Sequence, residues 1–460
     1  MRHTSPVLLR RLAIPIAALA LIFFSARAHA QKPSRFEQSE QASLKKIAGE
    51  WVKLGDWCVA KKLGTEARLC ADRAKAADAT AKGLDKLVEK ATDCEDAASD
   101  ADRKEWEKKL ASTGKTVAGC YDQLMLAGAK EKDAKVAERL DRYFLTALAL
   151  APSDSRWGVT LKVVAESAKK KDFDRVARIT EGALALNPPE KTAAQLKTAL
   201  DDVAADRVIL KGVPTHPIKY FFSLPRGYKR AKDKKWPVLV CVDGAGSNFE
   251  GIAKGYKEKQ GKLPFIIVSP CTFSNTNKIE GDMVEKYRKF YTDKVIEEGN
   301  GKRIDWDEEG VLAILKDLEA NYDAENRVYV TGFSGGGNVT YMMVFKHPNL
   351  VNAAAPSCAN FGAISYGSLK EQFTEEDRNF PVHLITGEKD PHRDFTFGDK
   401  SSPGIEPQTD WAEKLLKELG YPNYKRMMVP GMGHDTGYDH VIATFKPYLE
   451  GKKKRGDKLQ

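Results

Sequence analysis

Apolar residues recur at helical spacing through the first half of the chain. Val136, Leu140, Tyr143, Phe144 and Leu148 fall on one face of a predicted amphipathic helix. From Glu37 to Arg207 the sequence is rich in Ala, Lys, Glu, Asp and Leu and poor in turn signals. That pattern predicts an all-helical domain over residues 31–210, folded as a bundle or stack. Ala147-Leu148-Ala149-Leu150-Ala151-Pro152 returns as Ala183-Leu184-Ala185-Leu186-Asn187-Pro188, an offset of 183 − 147 = 36. The offset is near the ~34-residue period of tetratricopeptide helix pairs. Ordinary helix ends before a proline would give the same echo.

The pattern changes at Lys211-Gly212-Val213-Pro214-Thr215-His216-Pro217, which reads as a linker over 211–217. Beyond it, apolar strand-like runs alternate with helical ones. Ile218–Leu224, Pro237–Val242, Leu263–Val268, Arg327–Thr331, Ala353–Ala355 and Val382–Ile385 are expected strands. The segments 308–322, 338–345, 411–419 and 440–449 are expected helices. Pro237–Val242 is apolar throughout, as a strand covered on both faces should be. The alternation predicts an α/β domain over 218–450, with a doubly wound, mostly parallel sheet.

The first thirty residues have a different character. Arg2, Arg10 and Arg11 precede the apolar run Leu12–Phe24, and Ala28-His29-Ala30 offers a small-residue cleavage site. This is the layout of a signal peptide (1–30), so export to the periplasm or medium is expected. The run is too short to favour a permanent span, which takes ~20 residues. Removing 1–30 takes four arginines from a formal charge of +10, leaving +6 (70 basic against 64 acidic). No nucleic-acid module is visible, and the basic tail 451–460 is expected to be solvated. Cys58, Cys70, Cys94 and Cys120 lie in the helical half, where export would permit disulfides in any of three pairings. No cysteine has metal-site spacing, and no cofactor is expected.

Candidate chemistry centres on Gly332-Phe333-Ser334-Gly335-Gly336, a G-x-S-x-G sequence between a strand and a helix. At such a corner the serine hydroxyl is pushed out above the sheet edge. A serine needs a base, and the base needs a third group to orient it. Asp390 follows the strand Val382–Thr386, and His434 lies in the glycine-rich loop Val429-Pro430-Gly431-Met432-Gly433-His434. The order Ser, acid, base makes Ser334, Asp390 and His434 the candidate catalytic residues. A turn residue beside Lys389 and Pro391 is the lesser reading of Asp390, with Asp394 as the runner-up acid. His440 is the reserve base, while His347 and His383 read as structural. An oxyanion hole would use the N–H groups of Gly335 and Ala245, the latter from the loop Asp243-Gly244-Ala245-Gly246.

Residues 218–450 resemble α/β-hydrolases of the esterase branch. They are similar to polyhydroxybutyrate depolymerase-type, feruloyl esterase-type and phospholipase/carboxylesterase-type enzymes. The matching residues are Gly332-Phe333-Ser334-Gly335-Gly336-Gly337, Gly387-Glu388-Lys389-Asp390 and Gly433-His434. The resemblance implies hydrolysis of a small-molecule or polymeric carboxylic ester through an acyl-enzyme on Ser334, without metal or organic cofactor. Asp243-Gly244 stands where these families carry His-Gly, and a carboxylate facing the oxyanion would raise the barrier. Two other readings are a catalytically silent binding protein of the same fold and, ranked lower, a serine peptidase. The helical domain would then serve as a protein or polymer contact. Aromatic residues Phe273, Tyr287, Phe290, Tyr291, Trp306, Phe361, Tyr366 and Phe373 either line a substrate pocket or pack the core.

Overall fold

The structure, a computed structural model, describes residues 34–131, 133–230, 234–362, 373–394 and 403–459. The expected signal peptide and Tyr366 lie outside them. The chain divides into two compact units, one up to Leu200 and one from Asp201 onward.

The first unit is helical among the described residues: α1 (Arg35–Ala60), α2 (Gly64–Ala77), α3 (Leu84–Thr92), α4 (Asp100–Gly128), α5 (Ala134–Leu150), α6 (Asp154–Lys169), α7 (Phe173–Leu184) and α8 (Glu190–Asp206), which runs into the second unit. Local signals start these helices. Ser34 accepts the Glu37 N–H while the Glu37 carboxylate accepts the Ser34 N–H at 2.7 Å, a reciprocal capping box. Ser99, Asp133, Ser153 and Asp172 cap α4 to α7 one-sidedly, each side chain accepting a backbone N–H of the first turn. Ile47, Trp51, Cys58, Cys70, Leu87 and Trp106 form one core of this unit. The buried Asp141 on α5 accepts from Arg175 Nε (2.9 Å) and Arg178 Nη2 (2.7 Å) of α7. The two echoed segments are the C-terminal ends of α5 and α7. The seven cysteines are free thiols, with Cys58 facing Cys70 in the core.

The second unit holds an eight-stranded sheet: β1 (Ile209–Val213), β2 (His216–Ser223), β3 (Trp236–Val242), β4 (Ile266–Pro270), β5 (Ala324–Gly332), β6 (Val351–Ala354), β7 (Val382–Gly387) and β8 (Tyr424–Val429). Their order is β1-β2-β4-β3-β5-β6-β7-β8. The first two pairings are antiparallel and the rest parallel. Every residue of β3, β4 and β7 is buried, as helices on both faces of a parallel sheet require. The expected fold class, an α/β sheet preceded by helices, is the observed one.

Three expectations need correction. Residues 211–217 are not a linker but the heart of the β1–β2 hairpin. Its breaker residues are tolerated because β1 is an edge strand, Pro214 sits in the turn and Pro217 in an irregularity of register. The strand Tyr424–Val429 was not foreseen, because as the other edge strand it is only half-buried and carries Lys425 and Arg426. Nor is the tail solvated throughout. Arg455 donates to the carbonyls of Val351 (2.9 Å), Pro348 (3.1 Å), Glu376 (2.6 Å) and Asp377 (2.5 Å) and lies over the Phe380 ring. Among the described residues no helix is long and apolar enough to cross a membrane.

Candidate active site

The carboxyl ends of β3, β5 and β7 bring the candidate residues to one rim. After β5 the chain makes a single tight turn, Ser334–Gly336, and enters the helix Gly337–Lys346. Ser334 has φ +50°, a conformation that favours glycine. Strain of this kind costs on the order of 1–3 kcal/mol and persists only where neighbours impose it. Here the Ser334 N–H donates to Ser357 O (3.2 Å), and Ser334 O accepts from the Asn360 N–H (2.8 Å). A Cβ on Gly336 would collide with the carbonyl of Val242, and one on Gly335 with that of Asn275. The turn therefore fits only with glycine at both positions.

Asp390 and His434 meet. The carboxylate Oδ2 of Asp390 accepts from His434 Nδ1 at 2.8 Å, and its Oδ1 accepts the His392 N–H at 2.8 Å. The Asp390 side chain is 1% exposed and that of His434 18%. An ionised carboxylate can only accept, so Nδ1 carries the proton and Nε2 keeps its lone pair. The His434 ring lies 4.8 Å from that of Phe333, the residue before the serine. Among the described residues Ser334 Oγ makes no hydrogen bond to His434; such contacts commonly tighten only with substrate bound. Asp394 and His440 are exposed. His347 pairs with Glu308 (2.8 Å), and His383 is buried in β7.

The loop after β3 abuts the serine: a Cβ on Gly244 would sit 2.9 Å from Ser334 Cβ. Asp243 turns away from that contact and accepts the Asn248 N–H at 2.6 Å, ahead of the helix Phe249–Lys259. Burial raises its pKa. The carboxylate that departs from the esterase pattern is thus committed to its own loop.

Sequence reasoning missed a set of buried polar residues beneath this loop. Asn275 Nδ2 donates to Gly244 O (2.7 Å) and to Ser247 Oγ (3.1 Å), while its Oδ1 accepts from Tyr287 OH (3.2 Å). Asp307, wholly buried on the helix Ile304–Asn321, accepts from the N–H groups of Phe273 (2.8 Å) and Ser274 (2.7 Å) and from Ser274 Oγ (2.5 Å). Burial pushes its pKa up to about 6 against those three donors. No spacing signal could have found these residues, since the bonds of Asn275 to the loop and of Asp307 to Phe273 and Ser274 span 28 to 34 positions. Phe273, Tyr287, Tyr291 and Trp306 are packed in the core, with Phe273 4.6 Å from Trp306.

Cys358 was also missed. Its sulfur, an Asp390 oxygen and a His434 nitrogen all lie within 4.8 Å of one another. Burial pushes the thiol up to about 12, so it stays protonated at neutral pH. A metal would need the thiolate and the imidazole nitrogen that Asp390 already holds, so the geometry suits a charge-oriented histidine better than a metal site.

A mostly parallel eight-stranded sheet with a serine elbow after β5 is the α/β-hydrolase fold. Residues 212–418 match the family described as "Putative esterase". The chain is also similar to three solved structures. One is a thermostable esterase (21% identity, 54% of this chain, 64% of that chain, TM-score 0.34). A second is an S-formylglutathione hydrolase from Agrobacterium tumefaciens (13%, 53%, 94%, TM-score 0.37). The third is a ferulic acid esterase from the anaerobic fungus Anaeromyces mucronatus (17%, 52%, 89%, TM-score 0.34). Of the thermostable esterase, less than two thirds of the length is spanned. No curated protein matches the chain.

Proposed function

We propose that the sheet unit is an exported serine esterase that cleaves carboxylic esters through an acyl-enzyme. His434 Nε2 takes the proton of Ser334 as Oγ attacks the ester carbonyl, and returns it to the departing alcohol. Water then attacks the acyl group with His434 as base again, freeing the acid. Asp390 holds the imidazole in the required tautomer. The N–H groups of Gly335 and Ala245 receive the oxyanion. Asn275 supports the second of these: in a trans peptide the N–H points opposite the carbonyl, so a donor fixed on Gly244 O aims the Ala245 N–H the other way. The observation that carries the reading is the 2.8 Å Asp390–His434 bond beside a serine held at positive φ.

Ser334→Ala is expected to abolish hydrolysis of a short p-nitrophenyl ester while the protein stays folded; unchanged turnover would reject the reading. Labelling by a fluorophosphonate separates an esterase from a silent binding protein, since only an activated serine reacts. A substrate panel of acetyl, long-acyl, feruloyl and polyester compounds would then define the acyl preference.

A further inference from the structure

The helical unit contains a pocket of about 250 Å³ whose walls come from α1, α2, α4 and α5. Three arginines line it, Arg73, Arg139 and Arg142, and no lining residue is acidic. Arg139 is already paired with Glu40 at 3.0 Å, and that carboxylate also accepts from Tyr143 OH at 2.8 Å. Arg73 has no such counter-ion. It is 7% exposed, and among the described residues its Nε and Nη1, themselves closed off from water, have no hydrogen-bond partner. The Trp51 ring lies 4.7 Å from the guanidinium carbon, and Cys70 is its other electrostatic neighbour among the described residues. A ring covers the face of a guanidinium and leaves the N–H edge unsatisfied.

A buried cation with orphaned donors is costly, and proteins keep one where a counter-charge arrives. The remaining walls are apolar or aromatic, with Tyr121 and Tyr143 stacked at 5.3 Å and Leu44 and Leu150 beside them. A free inorganic ion would satisfy the arginine and leave those walls wet. We propose that this pocket binds a small oxyanion, a carboxylate or phosphate, carried on an apolar or aromatic body, with Arg73 as its anchor. The volume is roughly eight times that of one water in the liquid, so the ligand is a small molecule rather than a polymer. Arg142, exposed at the mouth, adds attraction without being buried. The assignment stands apart from the esterase reading, although ester hydrolysis releases acids of this kind.

The test uses the full-length protein and four probes: 3-phenylpropanoate, phenyl phosphate, the neutral 3-phenylpropanamide, and inorganic phosphate. Calorimetry and thermal melting should show binding of one or both aryl anions, with the amide and the bare phosphate at least about tenfold weaker. Comparing the two aryl anions decides between carboxylate and phosphate. Arg73→Gln should weaken the aryl anion at least about tenfold and leave ester turnover unchanged, which separates this site from product binding near Ser334. An arginine kept for a ligand also leaves the ligand-free melting temperature unchanged or raised on replacement; one serving the fold lowers it. Should Arg73→Gln fail to fold, Arg142→Gln should still weaken the anion two- to threefold or so without affecting the amide. Equal binding of anion and amide, no binding of any probe at about 10 mM, or undiminished affinity in both variants would overturn the proposal.

Discussion

Asp307 in the sheet unit and Arg73 in the helical unit are both charged side chains taken out of water, yet their surroundings differ. Asp307 is met by three donors from one loop, and that loop carries Asn275 against the oxyanion candidate. Arg73 meets an aromatic face and leaves two nitrogens without partners. The first charge is complete within the protein and holds a backbone in place. The second is complete only with something added. A full hydrogen-bond shell suits a positioning group, whereas an unfilled one leaves the cost of an unmade buried bond to be met from elsewhere.

The contrast extends to the two sites. The rim around Ser334 is shaped by backbone, so its most informative substitutions concern glycine and φ. Ser334→Gly should lower kcat/KM for esters by at least about 10⁴-fold. It should also raise stability by roughly 1 kcal/mol, because glycine relaxes the left-handed backbone. A lower melting temperature would show that the serine is not strained and would remove one half of the contrast. Next, Gly336→Ala forces a methyl into the Val242 carbonyl and should cost about 3 kcal/mol or more in urea unfolding. A stable, active variant would mean the turn is looser than drawn.

Asp307 offers a pH test. Its folded pKa, about 6, lies above the ordinary 3.8. Between those values the native state holds the proton more tightly than the unfolded chain. Its contribution is therefore fully present below pH 3.8 and is lost as pH rises through 6, by up to about 3 kcal/mol. The stability gap between wild type and Asp307→Asn should narrow from pH 4 to pH 7 in chemical denaturation. A constant or widening gap would mean the carboxylate is comfortable as an anion. The smallest expected effect is that of Asn275→Ala: kcat roughly tenfold lower with KM near wild type, about 1.4 kcal/mol of transition-state stabilisation. A rise in KM alone would make Asn275 a substrate contact instead.

Much of this architecture was legible in the residues. Helical periodicity and a composition poor in turn signals gave the first unit, and apolar strand-like runs gave β3 and β7, because these signals arise between neighbours a few positions apart. The elbow was legible for the same reason, since Gly335 and Gly336 answer a local steric demand. Edge strands escaped notice: β1 and β8 bury too little to need an apolar pattern, and Gly212 and Pro214 looked like the end of structure. Arg455 read as one charge in a basic run, yet folded it caps four carbonyls that lie 78 to 107 residues away.

Residue order and short-range pattern were enough to name the fold class, the elbow and a serine–acid–histidine sequence in the chain. They could not bring Asp390 to His434, turn Asp243 toward Asn248, seat Asn275 under Gly244, or set the Arg73 guanidinium against the Trp51 ring. Each of those depends on which distant segments return to the same place. Hydrogen-bond partners exchange at contact distance, and that distance exists only once the chain has folded.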